Sequence, residues 1–150
     1  MMYKYLAKGY DELYGAEQEA KLRKVAHLIH GRVLDIGAGT GIVARHFPHV
    51  VSLDPTWEML QKAPGMKVLG RAEYLPFKAK SFDTIISLTA LHHAEIPLVI
   101  KELQRMQAKT MILSLLKKSK NCKEILQKLQ RAFPKAKIID EEKDLLIVIE

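Results

Sequence analysis

Short runs of apolar residues alternate with amphipathic stretches along the chain. The apolar runs are bounded by turn residues, which is typical of buried strands. The stretches between them carry apolar residues at the spacing of one helix face. The pattern predicts strands at 33–36, 50–53, 66–69, 82–88, 110–116, 137–139 and 145–149, and helices at 11–29, 42–47, 57–63, 95–106 and 120–133.

Strands that alternate with helices predict a parallel sheet covered by helices on both faces. The last two strands are joined by only a few acidic residues, which permits an antiparallel hairpin and forbids a parallel crossover. The sequence therefore predicts an open, doubly wound α/β domain. The length of 150 residues and the lack of a Pro-, Gly- or Ser-rich linker predict a single domain over 1–150, with an N-terminal helical segment at 1–30.

Composition is that of an ordinary globular protein, with 48% hydrophobic and 27% charged residues. The single cysteine, Cys122, excludes an internal disulfide framework and a CxxC metal site, and it suits a reducing compartment. The first residues lack the apolar run of a signal peptide, and no stretch approaches a membrane span. We therefore expect a cytoplasmic protein with no metal site and no membrane association.

Positive charge is concentrated in one part of the chain. The formal net charge is +7, and residues 101–137 hold eleven Lys or Arg against two Glu. Basic faces of amphipathic helices are most often simply solvated, but this density favours an anionic partner such as tRNA or another RNA. The basic face of the helix predicted at 120–133 consists of Lys120, Lys123, Lys128 and Arg131.

A glycine-rich turn follows the first predicted strand, where doubly wound sheets bind their ligands. Residues 33–41 read Val-Leu-Asp-Ile-Gly-Ala-Gly-Thr-Gly, and Ile42 stands where the dinucleotide fingerprint has its third glycine. No Walker lysine motif is present. Asp35 is a poor neighbour for a pyrophosphate and a good one for a cation, and Asp54 ends the second strand, where a carboxylate can hold a ribose. The set favours S-adenosylmethionine (SAM), which has a ribose, an adenine, an ammonium and a sulfonium but no phosphate.

Four motifs, in order and spacing, resemble those of the class I SAM-dependent methyltransferases. Residues 33–41 resemble the first motif, 53–60 the ribose motif and its helix, and 70–77 the adenine loop. Residues 82–93 resemble the fourth strand and post-strand motif of the branch that includes the ubiquinone and menaquinone C-methyltransferases. The resemblance covers nearly the whole chain and implies a minimal Rossmann-like methyltransferase domain. Its seven-stranded, mostly parallel sheet would have the order 3-2-1-4-5-7-6, with strand 7 antiparallel.

The resemblance also implies a set of cofactor contacts. Gly37, Ala38 and Gly39 would pass beneath the methionine portion of SAM, and Asp35 would face its ammonium. Arg71 stands where the family usually has Asp, so an adenine contact would pass to Glu73. The other positions implied are Gly41, Asp54 at the ribose, Pro55 and Met59 at the adenine, Ala72 with Glu73 at the adenine edge, and Ser87, Leu88 and Thr89 near the methionine end.

In-line transfer of the SAM methyl group to an acceptor nucleophile is the implied reaction. His92, after the fourth strand, is the candidate catalytic base, and a structural role for the pair His92-His93 is the alternative. Tyr10-Asp11 resembles part of a lid over SAM.

The methyl acceptor is not specified by the sequence. RNA, another macromolecule, and small-molecule C- or O-methylation stay open, as does a non-catalytic SAM-binding subunit that acts through a partner protein. A dehydrogenase is disfavoured by Ile42. Short links at the carboxyl edge of the sheet predict an open cleft, completed by a large substrate, by a second copy in a homodimer, or by a small zinc-binding activator protein.

Overall fold

One seven-stranded sheet forms the centre of the computed structural model, which describes residues 15–150. The sheet order is β3-β2-β1-β4-β5-β7-β6; β1 to β5 are parallel, and β7 is antiparallel to both β5 and β6. This confirms the predicted order and the reversed last strand. The strands are β1 (Val33–Ile36), β2 (Val50–Asp54), β3 (Met66–Leu69), β4 (Thr84–Leu88), β5 (Thr110–Leu116), β6 (Lys137–Asp140) and β7 (Asp144–Ile149).

The helices follow the predicted positions with shorter bounds. Residues 15–25 form α1, and a 3₁₀ turn, Ala26–Leu28, tightens its end before the chain extends towards β1. Residues 11–14 of the predicted first helix lie outside the described residues. The remaining helices are α2 (Ile42–His46), α3 (Trp57–Leu60), α4 (Ile96–Met106) and α5 (Cys122–Ala132). None of the helices within residues 15–150 has the length and apolar character needed to cross a membrane.

Strand β4 begins at Thr84, two residues later than the predicted start at Phe82. Phe82 and Asp83 lie in the segment that leads into the strand. The Asp83 carboxylate accepts the backbone N–H of Arg32 at 2.8 Å, which ties the entry of β4 to the entry of β1. The side chain of Asp83 thereby lies at the amino edge of the sheet, away from the glycine-rich turn at the other edge.

Apolar side chains cover both faces of the sheet, as a doubly wound fold requires. Neighbouring residues of β4 alternate between the faces: Ile85 packs towards α4 and α5, whereas Ile86 packs towards α1 and α2. Leu22 and Val25 join the second of these clusters, so α1 is part of the core. Each fully buried Leu or Ile contributes about 1.5–3 kcal/mol, and the sheet is therefore a firm support for the loops at its edges.

The register brings the ends of the central strands together. Ile36 lies beside Leu53 of β2, and Asp35 lies beside Ile86 of β4. The loops that follow β1, β2 and β4 consequently meet at one carboxyl edge. The chain leaves β1 for β2 on one side and reaches β4 on the other, so this is the switch point at which such sheets bind ligands.

Candidate active site

A cavity of about 500 Å³ opens at this switch point. Its wall is formed by the loop after β1, the end of β2 with the start of α3, the residues after β4, and α1. Residues that the sequence predicted at the cofactor make up much of the lining: Asp35, Gly37, Ala38, Gly39, Asp54, Pro55, Met59, Leu88 and Thr89.

Gly37 and Gly39 shape the loop after β1. Both have positive φ angles, +72° and +57°, which favour glycine. A Cβ at Gly37 would lie 2.2 Å from the Cβ of Ala90, so the loop can approach the segment after β4 only without a side chain there. The N–H groups of Gly37 and Ala38 both donate to the Leu53 carbonyl, at 2.8 and 3.0 Å, and hold the loop against β2.

Asp54 organises the same loop from the end of β2. Its Oδ2 accepts the N–H of Gly39 at 2.9 Å, and its Oδ1 accepts the N–H of Thr56 at 2.8 Å. Each carboxylate oxygen has a further lone pair, and Asp54 lines the cavity. The side chain can therefore accept hydrogen bonds from ligand hydroxyls while it holds the glycine loop.

Asp35 is a buried carboxylate that lines the cavity, with 3% of the residue exposed. Burial raises the pKa of this carboxyl well above its usual value, and the nearby negative charge of Asp54 raises it further. A cation bound beside Asp35 would favour its ionised form. The two carboxylates thus form a site suited to a cationic ligand that carries hydroxyl groups.

Several residues that the resemblance placed at the cofactor do not line the cavity. A Cβ at Gly41 would lie 2.5 Å from the Cβ of Ala63, so this glycine allows close packing after α3. The Ser87 hydroxyl donates to the Ile36 carbonyl at 2.9 Å. The Glu73 carboxylate accepts the N–H of Glu95 at 3.3 Å, and Ala72 packs against the core. Their contacts with SAM stay predictions.

The two adjacent histidines have different surroundings. Nε2 of His92 accepts the N–H of Leu116 at 2.8 Å, and its Nδ1 lies 3.3 Å from Oδ1 of Asn121. Asn121 in turn donates to the His92 carbonyl at 2.8 Å, which links the loop after β4 to the start of α5. His93 is exposed and lines the cavity. Both ring nitrogens of His92 thus face protein groups, and a catalytic role for His92 stays a prediction; His93 is the histidine that lines the cavity.

Helix α1 contributes residues that the sequence did not predict at the site. Gly15 and Gln18 line the cavity, and Nε2 of Gln18 donates to the Leu88 carbonyl at 3.1 Å. One turn later, Nζ of Lys21 donates to Oγ1 of Thr89 at 2.7 Å. The sequence does contain a pattern that could have predicted this role: the polar residues Gln18 and Lys21 lie beside the apolar Leu22 on the core-facing side of the helix. The proposed lid residues Tyr10-Asp11 lie outside the described residues.

Three further predictions concern the absence of a metal site, the position of Arg71 relative to the cofactor, and the basic face of the helix predicted at 120–133. Within residues 15–150, no group of three His, Cys, Asp or Glu could hold a metal ion. The backbone of Arg71 bridges to Tyr74, and Arg71 does not line the cavity. Lys123 and Arg131 of α5 are exposed, as is Lys120 just before the helix, whereas Lys128 pairs with Glu124 at 3.0 Å. Because the His92–Asn121 contacts join α5 to the loop after β4, this basic face starts close to the cavity edge.

Comparison with protein families gives a match over residues 34–114 to the family described as "Methyltransferase domain". Among curated proteins, an uncharacterized protein of Methanocaldococcus jannaschii is 37% identical over 69% of this chain and 45% of its own length. The malonyl-[acyl-carrier protein] O-methyltransferase of Halorhodospira halophila is 35% identical over 68% of this chain and 41% of its own length. The chain therefore spans less than half the length of these relatives.

Solved structures share the fold. A SAM-dependent methyltransferase of Thermotoga maritima matches with a TM-score of 0.78 and 20% identity, over 99% of this chain and 95% of that one. A methyltransferase chain in complex with the Trm112 methyltransferase activator of Haloferax volcanii matches with a TM-score of 0.63 and 18% identity, over 79% and 80% of the two chains. At these identities the structures show the common fold alone.

Proposed function

Because the chain belongs to the methyltransferase domain family, we propose that it transfers a methyl group from its cofactor SAM to an acceptor nucleophile. The observation that carries the proposal is the combination of a glycine loop with two carboxylates, Asp35 and Asp54, in one cavity. The residues fit SAM: Asp35 would face the ammonium, Asp54 would accept the ribose hydroxyls, and Pro55 and Met59 offer apolar surface to the adenine.

The residues of the site act mainly by positioning their ligands. The chemistry that SAM supplies when bound is an electrophilic methyl group on a sulfonium, so a protein nucleophile is not needed. The glycine loop and the two carboxylates orient one reactant, and the open mouth of the cavity admits the other. His93, exposed at the cavity wall, is positioned to accept a proton from the acceptor if the acceptor has to lose one.

Basic residues also line the cavity, and a phosphate-bearing ligand is the alternative that they would favour. Arg45 is already engaged, since its guanidinium donates to the Thr40 carbonyl at 2.7 Å. Lys62 is exposed. Buried carboxylates at Asp35 and Asp54 would repel a pyrophosphate, and this repulsion favours SAM over NAD(H).

Calorimetry with SAM, S-adenosylhomocysteine and NAD(H) tests the cofactor. We expect the first two to bind and NAD(H) not to bind. Asp54→Ala should weaken SAM binding by roughly 1.5–3 kcal/mol, because a charge-assisted contact is lost. Asp54→Asn removes the charge but keeps an oxygen acceptor for one of the two backbone N–H groups, Gly39 or Thr56, so it perturbs the loop less than Asp54→Ala. Asp83→Asn, at the opposite edge of the sheet, is the matched control. An affinity that is unchanged in both Asp54 variants would exclude the ribose assignment.

For the acceptor, we propose RNA. The supporting observation is the exposed basic surface that starts near the cavity with Lys120, just before α5, and continues with Lys123 and Arg131 of the helix, where phosphates could bind. Lys120→Glu with Lys123→Glu should weaken RNA binding and flatten its dependence on salt. Lys78→Glu with Lys109→Glu makes the same charge change at exposed positions of the amino edge and should leave RNA binding nearly unchanged.

Transfer of a radiolabelled methyl group from SAM to fractionated cell extract identifies the acceptor class directly. Label in the RNA fraction, reduced by the Lys120/Lys123 reversal, is the expected result. Label in an acidic protein or in small molecules would replace the RNA proposal and leave the methyltransferase proposal intact. The absence of label from every fraction, with SAM bound, would favour a non-catalytic subunit.

We further propose that a small activator protein covers part of this domain. Among residues 15–150, no strand pairs with the outer edge of β3, where Met66 and Leu69 are 69% and 58% exposed. An apolar edge strand of this kind is a site for pairing with another chain. A methyltransferase of the same fold is held in a complex with an activator, and the proposal extends such a partner to this chain.

Light scattering and SAM titration test the partner. We expect a monomer that binds SAM weakly, with affinity rising when a Trm112-type activator is added and not rising in a Leu69→Asp variant. A stable homodimer would assign the edge to a second copy of the chain. A monomer that binds SAM tightly and rapidly methylates a small metabolite would contradict the partner proposal.

A further inference from the structure

Lys21 is a buried cation directly behind the wall of the cavity. Its side chain is 9% exposed, and its Nζ lies 3.3 Å from Oδ1 of Asp144, whose side chain is 10% exposed. Burial lowers the pKa of Lys21, and the charge of Asp144 opposes that change. A buried pair of this kind contributes little net stability compared with apolar residues of similar size, so its presence points to a positional role.

The contact that gives Lys21 such a role is its hydrogen bond to Thr89. Nζ of Lys21 donates to Oγ1 of Thr89 at 2.7 Å. Thr89 has a φ of +56°, in the left-handed region that β-branched residues rarely adopt. Residues in this region persist only where the surroundings enforce them, and they cluster at functional sites.

Ser114 of β5 also holds Thr89. The N–H of Thr89 donates to Oγ of Ser114 at 2.7 Å, and the two hydroxyl oxygens lie 3.1 Å apart. Thr89 therefore bonds to both a buried lysine of α1 and a buried serine of the sheet. The contacts of Lys21 and Ser114 together define the path of the chain as it leaves β4.

This path sets the position of the cavity wall. Leu88, Thr89 and Ala90 all line the cavity, and Ala90 faces Gly37 so closely that a Cβ on the glycine would lie 2.2 Å away. A change in the backbone at Thr89 would move Ala90 relative to the glycine loop. The separation of these two segments determines the width of the cavity at the end that the family resemblance assigns to the methionine portion of SAM.

We propose that Lys21 is a positioning residue, which holds Thr89 in its left-handed conformation and thereby fixes residues 88–90 against the glycine loop for cofactor binding. The effect on SAM binding rests on the proposed function, whereas the contacts of Lys21 with Thr89 and Asp144 do not depend on it. The simpler reading is that Lys21 and Asp144 only anchor α1 to β7, with no effect on the cavity. The two differ in what happens at Thr89 when the charge pair is removed.

The test replaces both charges together, as Lys21→Met with Asp144→Leu, because a single replacement would leave a buried charge without a partner and could unfold the chain. Hydrogen exchange of the Thr89 amide is measured in the protein without cofactor, and the SAM dissociation constant is measured by calorimetry. Lys24→Met is the control, since Lys24 lies on the same helix and pairs with Glu141 at the surface.

We expect the double variant to remain folded, with exchange at Thr89 at least roughly tenfold faster and SAM binding roughly tenfold weaker, consistent with loss of one hydrogen bond. Lys24→Met should change neither. In a Thr89→Ala background, removal of the charge pair should have little further effect on SAM affinity, because Lys21 has lost its acceptor.

Unchanged exchange at Thr89 and unchanged SAM affinity in the folded double variant would overturn the proposal and leave Lys21 as an anchor of α1. An equal loss of affinity in the wild-type and Thr89→Ala backgrounds would also overturn it. If the wild-type chain binds no SAM, the proposed function fails, whereas the exchange measurement still decides whether Lys21 holds Thr89.

Discussion

Replacing Asp35 with Asn should stabilise the protein while it weakens the site. Burial and the neighbouring Asp54 raise the pKa of Asp35 in the folded state above that of the unfolded chain, about 3.9. Between these two pKa values the folded state binds more protons than the unfolded state. The contribution of Asp35 to the free energy of unfolding therefore falls as pH rises through that interval.

The size of the effect follows from the same linkage. Each pH unit that separates the two pKa values is equivalent to about 1.4 kcal/mol. We expect Asp35→Asn to raise the free energy of unfolding at neutral pH by more than about 1 kcal/mol, with the gain vanishing below about pH 4. Urea denaturation across this pH range measures both the gain and its disappearance.

Cofactor affinity should change in the opposite direction. The variant lacks the carboxylate that would face the SAM ammonium, a loss of roughly 1.5–3 kcal/mol, or about ten- to hundredfold in the dissociation constant. In the wild-type protein below the pKa of Asp35 in the ligand-free state, SAM binding should release a proton from Asp35. SAM affinity should therefore rise with pH up to that pKa and then level off. Calorimetry in buffers of different ionisation enthalpy detects the proton, and Asp35→Asn should not release it.

Asp83→Asn is the control for these measurements. The Arg32 N–H holds the pKa of Asp83 below its usual value, so Asp83 adds stability above the unfolded pKa and that stability is lost as pH falls. Its Asn variant should therefore be less stable at neutral pH and should bind SAM normally. A neutral-pH loss of stability in Asp35→Asn, together with unchanged SAM affinity, would show that Asp35 is neither a destabilising buried charge nor a cofactor contact.

Two further predictions concern the residues around the site. Gly41→Ala should destabilise the protein by more than about 2 kcal/mol in urea denaturation, because φ is +84° and the added Cβ meets Ala63. The control Gly65→Ala, at φ +73° with open space around it, should cost only about 1 kcal/mol. Equal costs of the two substitutions would contradict a packing role for Gly41. His93→Ala should lower the rate of methyl transfer without changing stability, whereas His92→Ala should cost roughly 1 kcal/mol of stability, because the Leu116 N–H loses its acceptor. A loss of methyl transfer in a stable His92→Ala variant, with full activity in His93→Ala, would favour His92 as the base.

The elements that the sequence predicted best are those whose pattern is local. The apolar runs of β1, β4 and β5 are buried along nearly their whole length, as strands covered on both faces must be. The short link between β6 and β7 required an antiparallel pair. The lateral order of the strands came from the resemblance, because periodicity shows that a strand exists and does not show which strand lies beside it.

The parts of the site that the sequence did not predict depend on contacts between distant positions. Gln18 and Lys21 reach the cavity wall through residues about 70 positions later in the chain. The different surroundings of His92 and His93 depend on contacts of His92 with Leu116 and Asn121, which lie more than 20 positions later in the chain and which no apolar pattern encodes. Gly41 belongs to the glycine motif, and its role in packing follows from Ala63, in the turn after α3.

The position of S-adenosylhomocysteine in a crystal structure of the chain is the most direct test of the cofactor assignment. We expect the ligand in the cavity between the glycine loop and residues 88–90, with its ribose hydroxyls on Asp54 and its ammonium towards Asp35. A ligand bound elsewhere, or one bound in this cavity with neither carboxylate in contact, would contradict it.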